Sequence, residues 1–146
     1  MDGVIARGLT KDDIGFLFSS FLQSSYYGDY SIHGRIRLSV FKKHHRRVME
    51  SVLRRKDTRV IVACMPDDPS VIFGYVIYAA NKLFWIYVKD AFRKKGIGRF
   101  LWESAGLPTT GDSVVETAHW TNVGAAIIKK HPNLTVHNPY ILHVEN

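Results

Sequence analysis

The sequence predicts a single α/β domain in which helices flank a mainly antiparallel sheet. Runs of β-branched and aromatic residues alternate with segments of helical periodicity. Three of the apolar runs follow one another with only short turns between them, and a length of 146 residues suits one domain. The resulting element order is β-α-α-β-β-β-α-β-α-β, with or without one more strand.

The N-terminal part of the chain predicts one strand and two helices. Residues 4–9 form a short apolar run, and the threonine and aspartates that follow are typical of a helix N-terminus. Apolar residues then recur at helical spacing to about Ser24. Residues 25–37 are rich in Tyr, His and Gly and are interpreted as a loop. A second helix over 38–56, capped by Ser39, would carry apolar and basic residues on opposite faces.

The middle of the chain predicts an antiparallel meander. Its three strands are residues 58–65, 71–79 and 83–88, which are rich in β-branched and aromatic side chains. The two connections are short: residues 66–69 contain the turn formers Pro and Asp, and a tight turn is expected near residues 81–82.

The C-terminal part predicts two more helices and the remaining strands. A helix over residues 96–104 is followed by a loop and by a strand over 113–119. A short helix over 121–130 precedes two final strands, over 134–137 and 140–144. This order completes the alternation of strands and helices stated above.

Positive charge is concentrated in three places. The net charge is +7, and residues 42–56 alone contain seven Lys or Arg, two His and one Glu. The other two clusters lie at residues 93–99 and 129–131. Two explanations of these clusters are open. The protein binds an anionic partner, or a basic helix face only keeps the protein in solution.

Composition excludes several other classes. Cys64 is the only cysteine, so an internal disulfide is excluded and a reducing, cytoplasmic location is expected. No run approaches the ~20 apolar residues of a membrane span, and no secretory signal pattern begins the chain. His44 and His45 are adjacent and therefore point to different helix faces, so no metal site is expected.

The most informative segment is Val88–Arg99, which contains Arg93-Lys-Lys-Gly-Ile-Gly98. It joins an apolar strand to an apolar helix through a basic loop with two glycines. Backbone N–H groups and a helix N-terminus converge at such a junction and bind phosphate, while glycine permits close approach of a ligand. The third glycine of a dinucleotide fingerprint and the Gly-Lys-Ser/Thr of a P-loop are both missing.

The spacing Arg93-x-x-Gly96-x-Gly98 resembles the acyl-CoA pyrophosphate loop of the GNAT superfamily, the Gcn5-related N-acetyltransferases. The predicted element order is also similar to the GNAT fold. The resemblance implies a central mixed, mostly antiparallel, twisted sheet flanked by about four helices. It also implies a splayed pair of parallel strands at the cofactor site, and acetyl-CoA as the cofactor.

The resemblance assigns cofactor contacts residue by residue. The strand before the loop would bind the pantetheine arm through the backbone of Ile86, Tyr87 and Val88. Asn122, on the helix after the next strand, resembles an asparagine that often contacts CoA. The pyrophosphate would lie over Arg93, Lys94, Lys95, Gly96, Ile97, Gly98 and Arg99.

The sequence departs from the family pattern at three positions. Asp90 stands where many members have proline, and Lys129 stands where many have a tyrosine that protonates the leaving thiolate. Residues 82–88 lack the carboxylate that often serves as general base. CoA binding is therefore better supported than the usual catalytic pair.

Acetyl transfer to an amine still needs a proton acceptor and a proton donor. His119 is the first candidate base, because it ends the strand beside the splayed site and imidazole titrates near neutral pH. A histidine that merely packs or faces solvent is the alternative. Glu116 is a second candidate base, and Tyr140 is a candidate proton donor.

The resemblance also indicates an acceptor side. The aromatic loop that borders the acceptor in this family contains Tyr26, Tyr27, Tyr30 and His33. The expected function is acyl-CoA-dependent N-acyl transfer, most simply acetyl transfer, to an amine on an acidic protein, an anionic metabolite or a nucleic acid. The alternatives are a degenerate GNAT-like module that binds nucleic acid or a protein, and a GNAT-like DNA-modifying protein. Small size and basic charge look similar to phage and prophage GNAT proteins, and a monomer or homodimer is expected.

Overall fold

The computed structural model describes residues 2–28, 35–109, 114–118, 129 and 135–143. These residues include six strands and three α-helices, together with 3₁₀ turns at Lys11–Asp13, Asp90–Phe92 and Pro139–His143. In chain order the elements are β1 Ile5–Gly8, α1 Ile14–Gly28, α2 Leu38–Arg54, β2 Arg59–Cys64, β3 Ile72–Ala79, β4 Lys82–Val88, α3 Ile97–Ser104, β5 Val115–Thr117 and β6 Thr135–His137.

The six strands form one sheet whose spatial order follows the chain from β1 to β6. Pairing is antiparallel from β1 through β4 and parallel from β4 through β6. The mixed, mostly antiparallel sheet predicted from the sequence is therefore confirmed. The predicted helix over 121–130 lies outside the described residues, apart from Lys129.

Each face of the sheet is covered by different helices. On one face α1 and α2 pack against strand residues such as Tyr75, Ile77 and Trp85. On the other face α3 packs against Val76 and Ile86. The sheet is thus buried on both sides, which explains why β3 and β4 read as nearly continuous apolar runs in the sequence.

The prediction that a loop begins at residue 25 is wrong for its first four positions. Helix α1 continues to Gly28, because the ring of Tyr26 packs against Phe41 of α2, with 5.1 Å between centroids. The Tyr26 hydroxyl also donates to the carbonyl of Ile36 at 2.7 Å. These contacts bury an aromatic side chain that the sequence pattern assigned to a surface loop.

Two other local predictions are wrong. Helix α2 begins at Leu38 and is preceded by Arg37 in extended conformation, so Ser39 lies inside the helix and does not cap it. Residues 139–143 form a 3₁₀ turn where the sequence suggested a strand. That turn is held by the Arg55 guanidinium, which donates to the carbonyls of Ile141 and Leu142 at 2.5 and 2.6 Å.

A buried ion pair joins β1 to the start of α1. Arg7 donates to both carboxylate oxygens of Asp13 at 2.6 and 2.9 Å. The Thr10 backbone N–H and hydroxyl donate to the same carboxylate at 2.8 and 3.0 Å. The hydrogen bonds from Arg7, aided by those from Thr10, lower the pKa of Asp13 from 3.8 to about 2.

The lowered pKa of Asp13 predicts a specific loss of stability in acid. Its ionised form stabilises the folded state above the unfolded pKa of about 4, and this contribution disappears as the pH falls towards 2. We expect Asp13→Asn to lose about 2 kcal/mol of unfolding free energy at pH 7. Urea denaturation at pH 7, 5 and 3 measures this. Asp12→Asn, at an exposed neighbouring position, is the control, and equal acid sensitivity in wild type and Asp13→Asn would contradict the assignment.

Candidate functional site

A β-bulge interrupts the middle of β4. Ile77 pairs with Trp85 and Tyr78 pairs with Leu83, so Phe84 is the extra residue. As a consequence Phe84 and Trp85 both enter the core under α1 and α2, whereas Leu83 enters the core under α3. The bulge twists β4 at the point where it leaves its parallel neighbour.

β4 pairs with β5 only at its beginning. Within residues 114–118 the matched pairs are Lys82 with Glu116 and Leu83 with Thr117. The Ala118 N–H then donates to the Leu83 carbonyl at 3.0 Å. This is the last described bond between the two strands, although β4 continues for five more residues to Val88.

The second half of β4 directs backbone groups into the space beyond that last bond. The Lys89 N–H donates to the Phe73 carbonyl on the β3 side at 2.9 Å. Because alternate residues of an antiparallel strand face opposite neighbours, the backbone groups of Tyr87 face β3. Those of Ile86 and Val88 face the side of β5. The N–H and carbonyl of Ile86 and the N–H of Val88 are therefore the groups on this side of β4 that could bind an extended ligand, because the Val88 carbonyl already accepts from Arg93.

The loop between β4 and α3 turns its backbone amides towards one point. Lys94 and Gly96 both adopt left-handed conformations, with φ of 62° and 85°. The first bond of α3 runs from the Phe100 N–H to the Gly96 carbonyl. The N–H groups of residues 97–99 therefore precede the helical ladder and lack intrahelical acceptors. Together with the helix dipole they form a seat for an anion.

Gly98 leaves open space at this seat. A Cβ added there would meet no atom within 4 Å, so packing within the protein does not require glycine at this position. Lys94 and Lys95 are exposed beside the seat, and the Lys95 ammonium lies 5.8 Å from the centre of the Phe92 ring. The arrangement suits a diphosphate that lies directly on the backbone.

The two arginines of the loop are already engaged. The Arg93 Nε donates to the Val88 carbonyl at 2.9 Å, and its Nη1 lies 2.5 Å from Asp90. Arg99 pairs with Glu103, one helical turn along, at 2.9 Å. Arg93 thus clamps the loop to the end of β4, a structural role that the sequence motif does not reveal.

Gly74 on β3 is a site residue that the sequence analysis missed. It pairs with Val88, and a Cβ at Gly74 would collide with the carbonyl oxygen of Tyr87. The backbones of β3 and β4 therefore approach closely beside the end of β4. The available sequence signal was an isolated glycine inside an apolar strand, which often marks close backbone approach.

An aromatic cluster lies on the α1 side of the same strand end. Tyr87 stacks obliquely on Tyr75, with centroids 5.5 Å apart, and meets the edge of Phe16 at 6.1 Å. The Lys89 ammonium lies 4.9 Å from the centre of the Phe16 ring. Burial raises the pKa of Tyr75, whose hydroxyl shares a 2.8 Å hydrogen bond with Ser20. Tyr75 therefore stays neutral and serves packing.

The predicted acceptor residues separate into two groups. Tyr26 is buried between α1 and α2, as described above, and is unavailable to a substrate. Tyr27 is about half exposed at the end of α1, and its ring contacts that of Tyr26 at 5.0 Å. Tyr30 and His33 lie outside the described residues.

Two predicted catalytic residues lie near the C-terminal strands. Glu116 pairs with Lys82 at the closed end of the β4–β5 pair, and its carboxylate accepts a bond from the Asn138 amide at 3.3 Å. Tyr140 is 76% exposed in the final 3₁₀ turn. His119 and Asn122 lie outside the described residues.

Two further properties concern the described part of the chain alone. Within it, no three His, Cys, Asp or Glu residues group in a way that could hold a metal ion. None of its helices is both long and apolar enough to cross a membrane.

Comparison with solved structures identifies the fold. A GCN5-related N-acetyltransferase from Rhodopseudomonas palustris aligns with a TM-score of 0.63, 12% identity, and coverage of 89% of this chain and 81% of that one. A putative acetyl transferase from Pyrococcus furiosus aligns with a TM-score of 0.59 and 16% identity, and the alignment covers 94% of this chain and 87% of that one. The chain has the GNAT fold. The PaiA N-acetyltransferase from Thermoplasma acidophilum was solved with coenzyme A. It aligns with a TM-score of 0.56 and 17% identity, and the alignment covers 88% of this chain and 87% of that one.

The likeness to these proteins is one of structure. No protein-family model matches the sequence, and no curated protein matches it significantly. At identities of 12–17% the solved structures establish the fold alone. The chemistry of this chain must be argued from its own residues.

The contact between Gly74 and Tyr87 predicts an intolerant position. We expect Gly74→Ala to lower the unfolding free energy by about 1–3 kcal/mol, because the new Cβ must displace backbone at the end of β4. Thermal or urea denaturation measures the change. Gly15→Ala, at the second residue of α1 with open space around it, is the control and should gain about 0.5 kcal/mol. Equal stability of the two variants would refute the close approach.

Proposed function

We propose that this protein is an acyl-CoA-dependent N-acyltransferase, and that the donor is most simply acetyl-CoA. One observation carries the proposal: the anion seat at the start of α3 adjoins the second half of β4, for which the described residues show no pairing with β5. The amides of residues 97–99 precede the first bond of α3. Along β4 the N–H and carbonyl of Ile86 and the N–H of Val88 face the side of β5, whereas the Val88 carbonyl accepts from Arg93. A ligand with both a diphosphate and an extended amide-containing arm fits this combination.

Different residues are proposed to bind the pyrophosphate and the pantetheine arm of CoA. The amides at the start of α3 would hold the pyrophosphate, and the exposed Lys94 and Lys95 would add charge. Ile86 and Val88 would bind the pantetheine arm through their backbone groups, with Tyr87 between them. Asn122 remains a proposed contact on the basis of the family resemblance.

Acetyl-CoA, when bound, supplies an acetyl group activated as a thioester. The protein must then accept the proton of the attacking amine and stabilise the developing oxyanion. We assign His119 as the base, since the carboxylate of Glu116 is engaged by Asn138. Tyr140, whose hydroxyl is exposed, is the proposed proton donor, because Lys129 replaces the usual tyrosine. The enzyme is proposed to act in the cytoplasm as a monomer or homodimer.

The acceptor is proposed to be an amine on an anionic or macromolecular substrate. The supporting observation is the exposed charge of α2, where Lys42, Lys43, Arg46 and Arg47 all face solvent. The same observation favours a second candidate, a degenerate GNAT-like module that binds nucleic acid or a protein without catalysis. Turnover of acetyl-CoA distinguishes the acyltransferase from the non-catalytic module. A GNAT-like DNA-modifying protein is the special case of the acyltransferase in which a nucleic acid carries the acceptor amine.

Substitution of Gly98 tests the CoA site. Gly98→Ala adds a methyl group to empty space at the second residue of α3, so we expect the free protein to fold with equal or greater stability. The same methyl group would occupy the diphosphate seat, and we expect the affinity for CoA to fall at least about tenfold, equivalent to about 1.4 kcal/mol. Calorimetry and the CoA-dependent rise in melting temperature measure this.

Gly15→Ala is the matched control for that experiment. It makes the same change at the second residue of α1 and should leave the affinity for CoA at the wild-type value. Failure of saturating acetyl-CoA to raise the melting temperature of the wild-type protein would overturn the cofactor assignment.

Release of the CoA thiol tests the reaction. With a panel of simple amines, a lysine-containing acidic peptide and amine-bearing DNA, we expect acetyl-CoA to be consumed faster than by hydrolysis. His119→Ala should lower the rate by about 10²-fold or more while the melting shift with CoA is unchanged. His44→Ala, at an exposed position of α2, is the control. Full activity in His119→Ala would remove that residue from the mechanism, and CoA binding without thiol release would favour the non-catalytic module.

A further inference from the structure

The positive charge of this protein belongs to one segment. Residues 35–59 contain ten Lys or Arg and two carboxylates, a net charge of +8. Because the whole chain carries +7, the remainder is slightly negative. The basic character is therefore a property of α2 and its two ends and not of the protein as a whole.

The exposed cations of α2 lie on one side of the helix. At 100° per residue, Lys42, Lys43, Arg46, Arg47 and Arg54 fall within an arc of about 140°. All five are exposed. They extend over about 18 Å along the helix axis. We call these five side chains the α2 basic face.

The opposite side of α2 is anchored in the protein. Phe41, Met49 and Val52 are buried, and Phe41 and Val52 lie about 80° or more outside the arc of cations. The helix is thus fixed to the sheet by its apolar side. The α2 basic face is consequently presented to solvent on a rigid element rather than on a loop.

The cations of this face are not neutralised within the described residues. The ion pairs there are Arg7 with Asp13, Arg93 with Asp90 and Arg99 with Glu103, and none involves α2. Glu50 is the one carboxylate of the helix. The Arg46 guanidinium lies 4.7 Å from the centre of the Phe18 ring, but no carboxylate among the described residues forms an ion pair with the five cations. Like charges held close together repel one another, and an external polyanion relieves that repulsion.

The composition of the face distinguishes between polyanions. Within the arc the cations are accompanied by Ser39, Glu50 and Leu53. Leu53 is partly buried against the core, so the arc exposes no aromatic or large aliphatic side chain. A protein partner is normally bound through an apolar or aromatic centre, and lysine is depleted at such interfaces. A phosphate backbone needs no apolar centre, because Lys and Arg contact it in a manner that is independent of sequence.

We propose that the α2 basic face binds the phosphate backbone of nucleic acid, without sequence specificity. Its length of about 18 Å matches about five base-pair rises of a duplex. This inference does not require that the protein bind CoA or catalyse acyl transfer. If the proposed function also holds, the face brings a nucleic acid or a nucleic-acid-bound protein to the acyltransferase site.

Fluorescence anisotropy with a labelled duplex of mixed sequence, about 20 base pairs long, tests the proposal. The affinity is measured from about 50 to 200 mM salt for the wild type and for Lys42→Gln/Lys43→Gln. Each lost phosphate contact lowers the slope of log affinity against log salt by about 0.9. We therefore expect the double variant to have a slope shallower by nearly 2 and an affinity at least about tenfold weaker near 0.1 M salt.

The control variant removes the same charge elsewhere. Lys11→Gln/Lys129→Gln replaces two exposed lysines outside α2 and should keep the wild-type slope. Gly98→Ala should also bind DNA with the wild-type affinity, so that failure of the CoA-binding proposal can be distinguished from failure of the DNA-binding proposal. Equal losses in both double variants would overturn the proposal, because net charge alone would then explain binding. Equal displacement of the duplex by poly-glutamate, or no binding by the wild type, would overturn it as well.

Discussion

Strand β4 is hydrogen-bonded to β3 through its whole length, but its pairing with β5 is described only at its first two residues. A fully paired central strand has no backbone groups left to offer a ligand. Here the bulge at Phe84 turns the strand just after Leu83. Among the described residues, the N–H and carbonyl of Ile86 and the N–H of Val88 then face the side of β5 without a paired strand. Buried N–H and C=O groups require partners, so this interruption creates a demand that an extended ligand can meet. In the proposed function, the anion seat of α3 and this edge bind two parts of one ligand.

Several contacts maintain the end of β4 in that position. The absence of a side chain at Gly74 lets β3 approach the Tyr87 carbonyl. Arg93 bonds to the Val88 carbonyl and to Asp90, which fixes the loop to the strand. The rings of Phe16, Tyr75 and Tyr87 support the strand from the side of α1. The position of the proposed diphosphate seat therefore depends on packing from elements far away in the sequence.

The basic side chains of the loop between β4 and α3 and those of α2 differ in whether they form ion pairs. In the loop, Arg93 and Arg99 are paired with Asp90 and Glu103, so the seat relies mainly on backbone amides and on two exposed lysines. On α2 the cations have no described ion pairs. A small ligand that lies on backbone amides benefits from geometry, whereas a long polyanion benefits from repeated mobile charges. The two regions are therefore suited to ligands of different size.

Local patterns located most elements to within one or two residues, because alternating and helical periodicities reflect burial that local sequence can encode. Strands β2, β3 and β4 and the start of α3 were found in this way. The errors at residues 25–28 and 139–143 have a common cause. Tyr26 is held by Phe41 and Ile36, and the final turn is held by Arg55, so partners distant in the chain decided both conformations.

The sequence by itself determined the strand, the glycine-containing basic loop and the helix of the anion seat, as well as the concentration of charge on α2. These features depend on residues that are close together in the sequence, on the ability of Gly96 to adopt a left-handed conformation, and on helical periodicity. Only the tertiary structure decided that β4 bulges at Phe84, that β5 pairs with the beginning of β4 at Lys82 and Leu83, and that Arg93 serves as a clamp. Strand register and close backbone approach arise from contacts between separate segments, and no single segment contains that information.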